Sequence, residues 1–203
     1  MKYLVVIIAV AALIAFAYWA TRPKPHIRNY PSEGIDIIAF GDSLIVGTGS
    51  SPGGDLPSLL STRIGTPIVN LGESGDMTAQ GLARLNELDP YHPKVVILLF
   101  GGNDYLQHVP ENETFANLGK IIADLQGRGA IVLLLGVRGG VLQDHFAGQY
   151  ERLRDTYETA YVSDVLSGLI GHEQFMSDQV HPNNAGYVLI ADRVYPVLKG
   201  LLR

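Results

Sequence analysis

The chain has 203 residues and a formal net charge of −5, with 47% hydrophobic and 17% charged residues. That balance excludes a disordered chain and fits one domain with its own core. Cysteine is absent, which excludes disulfides, iron–sulfur clusters, thiolate zinc sites and a cysteine nucleophile, and the acidic balance argues against a nucleic-acid partner.

The N-terminus is a separate piece. From Tyr3 to Trp19 the sequence carries no charge and no helix breaker, and Lys2 precedes it. A run of that length sits near the lower limit for a bilayer-spanning helix, roughly 17–25 residues. Tyr18 and Trp19 close it, where interfacial aromatics belong. Ala15-Phe16-Ala17 equally matches the cleavage site of a signal peptide. Residues 1–20 therefore read as a hydrophobic helix, either a retained anchor or a cleaved leader. Either form places the body at a membrane or in secretion, on the periplasmic or extracytoplasmic side. Arg22, Lys24 and Arg28 follow the segment and leave its orientation open. Residues 21–33 hold Pro23, Pro25 and Pro31 and read as a stiff spacer. The folded domain is expected over residues 34–203.

Beyond the spacer, short apolar runs alternate with helical patterns. The runs cover residues 35–40, 67–71, 94–100, 130–135 and, weakly, 159–162, and glycine follows each of the first four. Runs without polar alternation indicate strands covered on both faces. Leu56, Leu59, Leu60 and Ile64 share one helical face. Thr78 can cap a helix carrying Leu82, Leu85 and Leu88 that stops before Pro90. Phe115, Leu118, Ile121, Ile122 and Leu125 repeat at helical spacing, and Gly127 can end that helix. Residues 146–157 form another. The last helix covers about residues 183–202, with Tyr187, Ile190, Val194 and Leu198 on one side, and Pro196 should kink or break it. This alternation predicts a parallel sheet with helices on both faces. Ligands of such sheets bind beyond the carboxyl ends of the strands, which directs attention to residues 41–43, 72–76, 101–104 and 136–140.

Ser43 follows the first strand directly, behind Gly41 and Asp42. Alone it reads at least as well as a helix cap. Asn103, in Gly101-Gly102-Asn103-Asp104, projects an amide, although such runs also make ordinary turns. Gly75, within Gly72-Glu73-Ser74-Gly75-Asp76, offers an unencumbered N–H. Asp178 and His181 lie three residues apart in a turn held by Pro182, a spacing that lets a carboxylate orient an imidazole. Together the four segments supply what acyl transfer needs. A hydroxyl requires an adjacent base, the base requires an orienting partner, and the oxyanion requires preorganised donors.

The order of these blocks resembles the SGNH/GDSL hydrolases. The stretch from Ser74 to Leu85 and the run Leu99 to Asp104 are similar to the arylesterase, acyl-CoA thioesterase I and lysophospholipase branch, and the likeness extends from about Ile37 to Leu198. The resemblance implies a three-layer α/β/α fold with a parallel, flavodoxin-like five-stranded sheet. It implies Ser43 as nucleophile, His181 as base and Asp178 as orienter. The Ser43 and Gly75 N–H groups and the Asn103 amide would form the oxyanion hole. It implies no metal and no cofactor, and the remaining histidines show no HExxH spacing.

The expected activity is hydrolysis of acyl esters or thioesters through an acyl-enzyme, with small-molecule or lipid acyl substrates and the membrane as a partner through the N-terminal helix. A carbohydrate O-deacetylase and a non-catalytic tethered binding module are the competing readings. Tyr105, Leu106, Val109, Val141, Leu142 and Phe146 could line an acyl groove or simply pack loops. Residues 47–57, rich in glycine, are expected to be flexible.

Overall fold

The structure is a computed structural model that describes residues 26–140 and 144–203. The apolar run from Tyr3 to Trp19 lies outside the described residues. Among those described, no helix is long and apolar enough to cross a membrane.

Five strands form one parallel sheet: β1 (Asp36–Gly41), β2 (Ile68–Gly72), β3 (Pro93–Leu99), β4 (Ile131–Leu135) and β5 (Ala160–Val162), in spatial order β2-β1-β3-β4-β5. That order reverses between β1 and β3, which is the doubly wound, flavodoxin-like arrangement. The expectation of a three-layer parallel α/β domain is met. Helix α1 (Ser43–Val46) is a single turn, followed by α2 (Leu56–Ile64), α3 (Thr78–Ala83), α4 (Gly102–Leu106), α5 (Glu111–Gly127), α6 (Ala147–Tyr157) and α7 (Asn184–Leu201). α2 packs with α7 on one face, while α3, α5 and α6 pack together on the other. The apolar runs are long because both faces are covered: Val95 to Phe100 and Ile131 to Leu135 are all buried.

Register determines where the site falls. Gly41 pairs with Gly72 on one side and Leu99 on the other, so the chain leaves β1, β2 and β3 at the same level. Side chains could not fit at two of these exits. A Cβ on Gly41 would sit 2.3 Å from the Leu99 carbonyl oxygen, and one on Gly72 would sit 2.4 Å from the Val46 nitrogen. Glycine here lets α1 lie directly on the sheet edge.

Two helices differ from expectation. Thr78 does not cap α3; the N-cap position is Met77, and the Thr78 hydroxyl donates to buried Asp104 at 2.5 Å. The helix stops at Ala83, and a 3₁₀ turn (Leu85–Leu88) carries the remaining leucines. Pro196 does not break α7, which continues to Leu201. Pro196 is on the exposed side, where water can satisfy the carbonyl that loses its amide partner. Packing of the Tyr187, Ile190, Val194 and Leu198 face outweighs the lost bond.

Residues ahead of β1 lie against the body. The Asn29 amide donates to the Gln126 and Ala130 carbonyls at 2.9 Å each, and the Ser32 hydroxyl donates to the Gly129 carbonyl at 2.8 Å. The chain thus enters at the amino ends of the strands, opposite Ser43.

Candidate active site

The turn after β1 is built by Asp42. Its carboxylate accepts the Leu44 N–H at 2.9 Å and caps α1, which ends at Gly47 in the left-handed conformation. Ser43 stands at the first position of that turn, nearly buried at 8% exposure. Burial, reinforced by nearby Asp104 and Asp76, pushes the Asp42 carboxyl up to about 7, against the lowering pull of the Leu44 N–H.

The turn before α7 brings in the second half of the site. Asp178 Oδ1 accepts the N–H groups of Val180 (2.8 Å) and His181 (2.7 Å), and the Ser177 N–H donates to the His181 carbonyl at 2.9 Å. Asn183 then caps α7 by accepting from Ala185 and Gly186. The imidazole held this way has Nδ1 2.7 Å from Asp178 Oδ2 and Nε2 3.0 Å from Ser43 Oγ. The chain thus brings together a hydroxyl and an imidazole 138 residues apart in sequence. The hydrogen bond from His181 and those from the Val180 and His181 amides hold the Asp178 carboxyl down at about 2. It is therefore a carboxylate at neutral pH.

Asn103 lies in the first turn of α4 and lines the same cavity as Ser43 and His181. Its Nδ2 donates one hydrogen to the Asp76 carbonyl at 2.9 Å. This leaves the second hydrogen for a ligand. Gly75 takes φ +86, a conformation side chains resist, although an added Cβ would meet nothing within 4 Å. Its turn stands beside α1, where the Ser74 and Thr48 hydroxyls lie 3.3 Å apart, but Gly75 does not itself line the cavity.

That cavity has a volume of about 260 Å³ and is mostly apolar, walled by Leu44, Tyr105, Leu106, Val137, Leu166 and Ile170. Of the side chains expected to line a groove, Tyr105 and Leu106 do so. Phe146 is instead buried edge-on against Phe115 and Tyr105, and Val109 is not part of the wall. Val141 and Leu142 lie outside the described residues. Leu166 and Ile170 were missed because the loop after β5 carries no strand or helix pattern to place it. The loop after α1, expected to be flexible, is tied to α7: the Asn184 amide bonds Ser51 at 2.7 and 2.8 Å, and the Tyr187 hydroxyl donates to the Thr48 carbonyl at 3.0 Å.

The chain is similar to known proteins over most of its length. Residues 39–189 match the model of the GDSL-like Lipase/Acylhydrolase family. The chain is 30% identical over 175 residues to the thioesterase 1/protease 1/lysophospholipase L1 of Escherichia coli (strain K12), covering 82% of this chain and 84% of that protein. It is 31% identical over 178 residues to the esterase TesA of Pseudomonas aeruginosa, covering 82% of this chain and 89% of the relative. Among solved structures, TesA superposes with a TM-score of 0.75 at 29% identity over 82% of this chain and 99% of its own. With the matched region spanning most of the domain, the chain belongs to the GDSL-like lipase/acylhydrolase family and is a hydrolase of the SGNH/GDSL esterase class.

Proposed function

We propose that the protein cleaves carboxylic esters or thioesters of acyl chains through a Ser43–His181–Asp178 triad and an acyl-enzyme intermediate. The observation that carries this reading is the continuous contact from Ser43 Oγ to His181 Nε2 (3.0 Å) and from Nδ1 to Asp178 (2.7 Å). His181 Nε2 takes the Ser43 proton as Oγ attacks the acyl carbonyl. Asp178 fixes the tautomer in which Nδ1 carries hydrogen and stabilises the imidazolium that forms. The carbonyl oxygen becomes an oxyanion held by the Asn103 amide and the Ser43 and Gly75 N–H groups. His181 then protonates the leaving alcohol or thiol. Water repeats the sequence on the acyl-enzyme and frees the acid.

The apolar wall beside Ser43 supports an acyl chain longer than acetyl, because each buried methylene contributes about 0.8 kcal/mol. Residues 1–20 are proposed to export the domain or anchor it at a membrane, which places these acyl substrates on the extracytoplasmic side. A fluorophosphonate probe tests the triad: it should label Ser43, as read by peptide mass, and should leave Ser43→Ala unlabelled. Labelling that survives in Ser43→Ala overturns the assignment. A series of p-nitrophenyl esters tests the groove, with kcat/KM expected to rise from acetate to the longer chains.

A further inference from the structure

Arg84 is the first residue beyond α3 and makes none of the contacts described at Ser43 or His181. Its side chain is only 13% exposed. One N–H donates to the Gly41 carbonyl at 2.9 Å and another to the Leu71 carbonyl at 3.0 Å. Nε donates to the Asp76 carboxylate at 2.6 Å, and Glu87 accepts at 2.9 Å on the outer side. The guanidinium lies 4.3 Å from the centre of the Phe40 ring and 5.9 Å from that of Phe100. It therefore bonds the exits of β1 and β2 and lies near Phe100 at the exit of β3. These exits lead to Ser43, Gly75 and Asn103.

Asp76 links this cation to the site. Its carboxylate is held by Arg84, and its carbonyl accepts from Asn103 Nδ2 at 2.9 Å. The orientation of the Asn103 amide thus depends on a peptide whose own side chain is fixed by Arg84. A planar fork can bridge two carbonyls and a carboxylate in fixed directions, and an ammonium group cannot. Burying a cation is costly, and a surface staple between helices would not require it.

We propose that Arg84 is a positioning residue for the oxyanion-binding amide, acting through Asp76 on Asn103. The proposal rests on the reading of Ser43 and Asn103 given above. Its test is a double-mutant cycle in the full-length protein, purified in detergent and assayed for kcat and KM on p-nitrophenyl butyrate. Melting by circular dichroism checks that each variant is folded. Arg84→Lys should lower kcat about 10- to 100-fold, because a misplaced donor forfeits most of its transition-state bond, while KM changes little. In the Asn103→Ala background the same substitution should lower kcat by less than about twofold, since the amide it positions is gone. A purely structural staple would lower both backgrounds equally, and that result overturns the proposal, as does an unchanged kcat in Arg84→Lys. If Arg84→Lys does not fold, Asp76→Ala cuts the same link and must show the same loss and the same dependence on Asn103; a wild-type kcat there overturns the proposal. If Asn103→Ala itself leaves kcat unchanged, the oxyanion reading fails and the positioning role falls with it. Fluorophosphonate labelling of Ser43 would still stand or fall independently.

Discussion

Asp42 offers a measurable test of how burial acts on the residue next to the nucleophile. Its carboxyl is 2% exposed and is raised from 3.8 to about 7, chiefly by desolvation. A raised acid binds its proton more tightly in the folded state than in the unfolded one. The stability tied to that proton is complete below the unfolded value and is lost as pH climbs towards 7. With 1.36 kcal/mol per pK unit, the loss between pH 5 and pH 8 works out at about 2–3 kcal/mol. For a protein of this size that corresponds to a fall of about 5–10 °C in Tm. Asp42→Asn keeps an oxygen for the Leu44 N–H and carries no charge. Urea unfolding followed by far-ultraviolet circular dichroism at pH 5, 6, 7 and 8 should therefore give a falling stability for wild type and a flatter profile for Asp42→Asn. Parallel profiles for the two proteins would refute the idea that Asp42 ionises at a cost.

Asp178→Asn should lower kcat by about 10⁴, because an amide at 2.7 Å can favour the wrong imidazole tautomer. Because the Asp178 carboxyl is held down from 3.8 to about 2, its stabilising contribution is complete at neutral pH and is lost as pH falls from about 3.8 to about 2. The rate profile should accordingly show no limb at pH 4 assignable to Asp178, which a comparison with Asp178→Asn will check. Tyr150→Phe should cost about 1–2 kcal/mol in urea unfolding, since it orphans the Phe100 carbonyl that the buried hydroxyl reaches at 2.6 Å. Gly41→Ala should destabilise by about 1–3 kcal/mol, through a Cβ 2.3 Å from the Leu99 carbonyl, and an unchanged denaturation midpoint would contradict the close approach.

The strands and the site blocks were legible in the sequence for one physical reason. A parallel sheet covered on both faces leaves uninterrupted apolar runs, and glycine marks each exit where backbones meet. Ser43 and Asn103 stood out because their chemistry is concentrated in short loops immediately after those runs, and Asp178 and His181 because they stand three residues apart in a turn held by Pro182. Arg84, Asp76 and Leu166 did not. The long side chain of Arg84 bonds the ends of two strands and the Asp76 carboxylate, contacts that no local pattern encodes. Thr78 looked like a cap because its hydroxyl suits one; the partner that claims it, Asp104, lies 26 residues away. The missing N–H of Pro196 predicts a kink or a break, and the packing that keeps α7 helical through it is not written in the local sequence.

The entry of the chain beneath the sheet has a consequence for access. Asn29 and Ser32 fasten the incoming segment to Gln126, Gly129 and Ala130, at the opposite pole from Ser43. If the first 20 residues stay in a bilayer, the tether therefore joins the body at the pole away from the cavity. Acyl compounds dissolved or dispersed in the surrounding fluid would then reach the cavity without passing the point of attachment.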